Sequence, residues 1–208
     1  MVLVIQASNL ELHEVEERFN LQEVRDLEFF SEWQGEMSAL SSFEKQTLDK
    51  VKEDFLVIAK YSPSEEIIKL TVLSHLLFAA GLTSPPFFPK AETPVEISFE
   101  DGDEVIRGRI DVLILHKRLW AVVVEAKRHS LNVSEGLAQA LFHMMSSPNR
   151  ETPTFGFLLN GTEFQFVKLI NQETPQYGLS RLFSLRNPGN ELCEVLSILK
   201  RLKEGVLQ

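Results

Sequence analysis

Apolar residues recur at three- and four-residue steps at Leu12, Val15 and Phe19, and again at Leu48, Val51 and Phe55, with acidic residues on the opposite faces. This is the spacing of amphipathic helices. Ser41 followed by Glu44 forms a capping box opening the second of them, each side chain satisfying a backbone N–H that the helix start leaves free. Residues 1–60 therefore read as a helical appendage packed against a core. Ser62-Pro63-Ser64 starts another helix: Glu65 and Glu66 sit at the positive end of its dipole, Ile67 to Ala80 supply apolar surface, and Gly81 ends it.

Beyond the break at Ser84-Pro85-Pro86 the pattern becomes extended, with strands expected over Val95–Phe99, Val105–Leu115, Leu119–Ala126 and Phe155–Leu159. Asn160-Gly161 is a hairpin signal leading into a fifth strand over Phe164–Leu169. A helix over Ser134–Met145 interrupts the strands, and a last helix runs from about Glu191 to Lys203. The expected architecture is α/β, a mixed sheet of about five strands flanked by helices, with residues 61–208 as one domain of catalytic size. A chain of 208 residues with 44% hydrophobic content is long enough to bury one substantial core.

The chemistry concentrates on two neighbouring strands. A turn at His116-Lys117-Arg118 makes Val105–Leu115 and Leu119–Ala126 antiparallel and sets Asp111 opposite Glu125. Opposed residues in such a ladder hold their Cβ atoms about 4.5–5.5 Å apart, where two carboxylates repel unless something cationic lies between them. Lys127, two positions beyond Glu125, projects to the same side. Val122, Val123 and Val124 make the approach rigid and buried. Hard carboxylate oxygens suit Mg2+, with Mn2+ as a substitute, and a metal so held acidifies a bound water and neutralises charge on a phosphate under attack. Burial among valines favours Lys127 as a neutral base and the adjacent acids favour it as a fixed cation; the residues alone leave both open.

Arg109-Ile110-Asp111, then Glu125-Ala126-Lys127, then Gly136-Leu137-Ala138-Gln139-Ala140 together resemble the PD-(D/E)XK nuclease superfamily, and most closely the nuclease-like N-terminal domain of type I restriction enzyme R subunits. Ser64-Glu65-Glu66, with Lys69 one turn on, resembles the glutamate-bearing helix that precedes the site in that family, and Phe155 to Phe166 resembles the hydrophobic strand and Asn-Gly turn that follow it. The resemblance spans about Ser62 to Leu169. It implies a restriction endonuclease-like fold, metal ligation by Asp111, Glu125 and the Ala126 carbonyl, a catalytic role for Lys127, and supporting roles for Gln139 and for Glu65 or Glu66. No proline precedes Asp111, which is usual in the restriction-subunit branch. No Walker phosphate loop or helicase segment is present, so ATP-driven translocation is not expected of this polypeptide.

A net charge of −9 opposes non-specific coating of DNA. Arg107, Arg109, Lys117, Arg118, Lys127 and Arg128 nevertheless crowd one short region, and Arg107, Arg109, Arg128 and His129 are the residues expected to meet nucleic acid. The implied partner is DNA, with a homodimer or separate motor and specificity subunits completing the assembly. The competing reading is a catalytically silent module of the same fold that binds nucleic acid or protein. His143, one turn past Gln139, reads as a partly buried structural histidine or a residue of the site's rim, and His75 as a core residue. Cys193, the sole cysteine, reads as a buried helix residue and excludes a disulfide framework or cysteine zinc site within the chain. No apolar run approaches the roughly 18 residues of a membrane span, and Met1 to Ile5 lacks the flanks of a signal peptide, so a soluble cytoplasmic protein is expected.

Overall fold

The computed structural model describes residues 3–35, 38–98, 104–117, 119–150 and 152–207. Its strands are β1 (Leu3–Gln6), β2 (Gln22–Glu23), β3 (Phe87–Ser98), β4 (Glu104–His116), β5 (Leu119–Ala126), β6 (Thr154–Leu159), β7 (Glu163–Ile170), β8 (Gln176–Leu179) and β9 (Phe183–Ser184). Its helices are α1 (Leu12–Phe19), α2 (Ser42–Ile58), α3 (Glu65–Ile68), α4 (Ser74–Ala80), α5 (Leu137–Met145) and α6 (Leu192–Leu207). The strands join in one mixed sheet in the order β1-β4-β5-β6-β7-β8-β2, with β3 beside β4 and β9 beside β7.

The parallel pair β5 and β6 lies at the centre, which explains its unbroken apolar runs: strands covered on both faces need no polar alternation. Val122 and Val124 enter a core shared with α2, α4 and α6, and Val123 enters a second core shared with α1 and α5. Phe157 and Phe166, directly paired across β6 and β7, stack with centroids 4.7 Å apart. The sheet is thus covered by helices on both sides, as the hydrophobic pattern predicts.

Several expectations need correction. Nine strands, rather than about five, are present among the described residues. Residues 1–60 are not purely helical: β1 and β2 occupy the two ends of the sheet order, while Val15 and Leu21 enter one core and Phe30, Leu48 and Phe55 the other. The strand expected at Val95 begins at Phe87 and passes through Pro89 and Pro94; its only partner among the described residues is β4, and an edge strand tolerates missing N–H donors. Phe99, Arg118 and the opening Met1-Val2 lie outside the described residues. The helix expected from Ser134 opens as a 3-10 turn over Val133–Gly136 before α5 begins. The helix after Ser64 contains a wide π turn, Lys69–Leu73, between α3 and α4. His75 is exposed rather than buried, and Cys193 is only partly buried in α6. The Ser41–Glu44 capping box has both of its bonds.

Candidate active site

The site lies where β4 exchanges partners. Along one edge β4 pairs with β3 from Val105 to His116. Along the other it pairs in parallel with β1 from Glu104 to Arg107 and antiparallel with β5 from Val112 to His116. The stretch Gly108–Asp111 therefore has no ladder partner on that second edge. Lys117 takes the left-handed turn conformation, φ 57°, and a register shift at Ile114/Leu115 brings Val112 opposite Val124. That is the register expected from the sequence. The strand also turns over nearby: Ile106 and Ile110 face the α1–α5 core, whereas Val112 and Ile114 face the α2–α4–α6 core. Glu92 stands across from this point on β3 with φ 51°.

Asp111 fills the gap in the ladder. Its Oδ2 accepts a hydrogen bond from the Ala126 backbone N–H at 2.7 Å, and its Oδ1 lies 3.5 Å from the Lys69 ammonium. The Lys127 N–H points the other way, to the Leu159 carbonyl at 2.8 Å. Since a peptide's N–H and C=O oppose each other, the Ala126 carbonyl faces the Asp111 edge. Burial, then the Glu125 charge, push the Asp111 carboxyl up to about 6 from its ordinary value near 3.8; Glu65 adds to the rise, while the Ala126 N–H and Lys69 oppose it. The local cations do not fully compensate two neighbouring acids.

Glu125 is held from the α5 side. Its side chain is 2% exposed, and its Oε1 accepts from the Lys127 ammonium at 3.0 Å. Lys127 also donates to the Gln139 Oε1 at 2.7 Å, so the amine is fixed between an acid on its own strand and an amide on α5. Gly136 permits this approach: a Cβ there would sit 3.2 Å from the Lys127 Cε and 3.4 Å from the Glu125 Cγ. Glu125 Oε2 is buried without a hydrogen-bond partner among the described residues.

Asp111, Glu125, Lys127, Ala126 and Gln139 are thus gathered at one strand end, and Glu65 lies close enough for its charge to act on Asp111. The other residues singled out from sequence do not join them. Glu66 is exposed, its carboxyl held below the usual range chiefly by the Ser64 hydroxyl. Arg107 pairs with Glu96 at 2.7 Å and Arg109 with Glu92 at 3.7 Å on the exposed β3–β4 ribbon. Arg128 is exposed. His129 packs edge-on against Phe55, centroids 6.0 Å apart, with its Nδ1 3.4 Å from the Asn160 carbonyl. Asn160 itself is more than a turn residue: its side chain binds the Leu131 carbonyl, Thr162 and Glu163, tying down the segment that follows Lys127.

Sequence reasoning missed Glu92 and named Lys69 and His143 without giving either a role in the site. Lys69 bridges Asp111 and Glu92, at 3.5 and 3.4 Å. His143 is completely buried rather than on a rim, with its Nδ1 3.3 Å from the Glu125 Oε2. The spacing of Lys69 from Glu65 and of His143 from Gln139, one helical turn each, is the signal that points to these two.

The donor set suits a hard cation. Two carboxylates and a carbonyl lie together at one strand end, and Mg2+ typically takes one or two carboxylates and keeps several waters. Among the described residues no third Asp, Glu, His or Cys completes an all-protein cage. No curated protein matches the chain. The family model described as "Type I restriction enzyme R protein N terminus" matches residues 93–175, a stretch that includes β4 to β7 and every residue of the gathered site except Glu65, Lys69 and Glu92; this stretch is similar to that restriction-enzyme domain.

Proposed function

We propose that the chain is a PD-(D/E)XK-type nuclease that hydrolyses phosphodiester bonds in nucleic acid, with DNA as substrate and Mg2+ as cofactor, in the manner of a restriction or repair endonuclease. The observation that carries this reading is the gathering of Asp111, Glu125 and Lys127 at one strand end, two acids whose mutual repulsion the surrounding protein leaves partly unrelieved. Such a pair costs stability and is useful once a cation and an anionic substrate arrive together. The family match over residues 93–175 supports the restriction-type assignment and makes DNA and further subunits the partners to test.

Asp111, Glu125 and the Ala126 carbonyl would hold the metal, which when bound supplies Lewis acidity and a water of lowered pKa. Lys127, oriented by Glu125 and Gln139, places a positive charge where the attacked phosphate gains negative charge. Lys69 holds the far side of Asp111. Gln139 keeps the Lys127 amine on the α5 side.

The deciding experiment is cleavage of supercoiled and single-stranded DNA by the wild-type chain and by Asp111→Ala and Lys127→Ala, in Mg2+ or Mn2+. Cutting by the wild type, with a loss of at least about 10²-fold in each variant, is expected. Undiminished cutting in both variants excludes this site as the nuclease centre. Binding without turnover in either metal, even with a partner subunit supplied, identifies a silent binding module of the same fold. Crystals soaked in Mn2+ are expected to show anomalous density between Asp111 and Glu125.

A further inference from the structure

Five buried polar side-chain atoms lack a hydrogen-bond partner among the described residues, and three of them meet in one place: Glu125 Oε2 and both ring nitrogens of His143. An unsatisfied buried polar group is costly, so three together call for a reason beyond packing. The His143 Nδ1 stands 3.3 Å from the Glu125 Oε2, short of hydrogen-bond alignment yet with no nearer partner for either atom. The other ring nitrogen is pressed against the Gly108 backbone, where a Cβ would come within 2.6 Å of it, on the stretch of β4 that has no ladder partner on the β5 side. Nδ1 is therefore the nitrogen free to donate. At rest Glu125 is drawn through its other oxygen to Lys127.

We infer that His143 is a positioning residue for Glu125: its Nδ1–H donates to Oε2 from beneath and leaves Oε1 as the oxygen presented to the cation shared with Asp111. This rests on the metal-centre reading of the site. A small rotation of the Glu125 carboxylate completes the bond, and a ligand carboxylate anchored in this way loses less freedom on binding. Gly108 belongs to the same device, because its missing side chain is the space the ring occupies. The ring touches neither substrate nor the reacting phosphate and acts only through Glu125.

The test is calorimetric titration of Mn2+ into the full chain, with no substrate present, for wild type, His143→Leu, His143→Asn and Gly108→Ala, each checked for folding by circular dichroism. Asparagine places an amide N–H near the position of Nδ1, whereas leucine fills the space without a donor. The expected result is a loss of about 10- to 100-fold in affinity for His143→Leu, the range seen when support of a metal ligand is removed, with most of it restored in His143→Asn. Gly108→Ala is expected to weaken binding in the wild type and to add little in the His143→Leu background. Wild-type affinity in both His143 variants overturns the inference, as does an equal loss in both while they remain folded, since bulk alone would then matter. If His143→Leu does not fold, His143→Asn with unchanged affinity and Gly108→Ala with reduced affinity support the inference, and unchanged affinity in Gly108→Ala overturns it. No Mn2+ binding to the wild type overturns the metal-centre reading itself and this inference with it, whereas binding that ignores His143 overturns the inference alone.

Discussion

Glu125 and Asp111 belong to the same site but are secured by opposite means. Glu125 stands on a central strand under α5, its surroundings built from fully buried side chains such as Leu141 and Phe142, and its polar contacts come from Lys127 and His143. Asp111 stands on β4, the inner strand of the β3–β4 ribbon, where a backbone N–H and Lys69 hold it and the exposed Glu92 pairs in turn with Lys69 and Arg109. One acid is placed by packing, the other by charge. Packing is stiff and insensitive to salt; ion pairs at a partly exposed edge rearrange when a competing cation arrives. On the proposed reading, in which a metal and a polyanion both enter, such a site gains from having one fixed wall and one adjustable wall.

The comparison breaks first at the packed wall. Phe142 is fully buried on α5 and lies 6.4 Å from the Phe19 ring, centroid to centroid. Phe142→Ala is expected to cost about 3–5 kcal/mol in urea unfolding. Val95→Ala, on the half-buried ribbon, is expected to cost roughly 1 kcal/mol, since less apolar area is involved. Equal losses at the two positions would mean that the ribbon is as tightly built into the core as α5.

The adjustable wall is tested by its charge. Burial and the Glu125 charge raise the Asp111 carboxyl to about 6, so the folded chain holds a proton that the unfolded chain has already released above about 3.8. Stability therefore falls as pH rises through the window between those values, and the full penalty, about 3 kcal/mol at 1.36 kcal/mol per pKa unit, applies above it. Asp111→Asn removes the ionisation and keeps an acceptor for the Ala126 N–H. In metal-free buffer it is expected to unfold at higher urea than wild type at pH 7.5, with the difference shrinking toward pH 4. A variant less stable than wild type at pH 7.5 would show that Lys69 and Ala126 already compensate the acid pair.

The same contrast explains what could be read in advance. Asp111, Glu125 and Lys127 lie on adjacent strands joined by a short turn, so hairpin register and the two-residue alternation place them without knowledge of the rest of the fold. Strands β5 to β7 are apolar enough to declare themselves. β2 and β9 have two residues each, too few for any period, and β3 is masked by Pro89 and Pro94, which an edge position permits. His143 was ambiguous because α5 is buried at nearly every position except Gln139, and a helix apolar all round gives no face to read. Lys69 stands one turn from Glu65, but its approach to Asp111 depends on a contact between distant parts of the chain. Chemistry encoded locally was legible; chemistry assembled by tertiary packing was not.

The smallest effect concerns the ribbon's arginines, whose role separates charge that builds the wall from charge that meets DNA. Arg109 is exposed and 3.7 Å from Glu92, a pair worth about 0–1 kcal/mol in such a setting, so Arg109→Ala is expected to leave the urea midpoint nearly unchanged. If the ribbon follows the nucleic acid backbone, the same substitution lowers by about 1 the slope of log binding constant against log salt measured by fluorescence anisotropy, because one phosphate contact and its released counterion are lost. An unchanged slope would assign Arg109 to Glu92 alone. The Arg109 charge would then belong to the adjustable wall itself and not to the surface that receives a substrate.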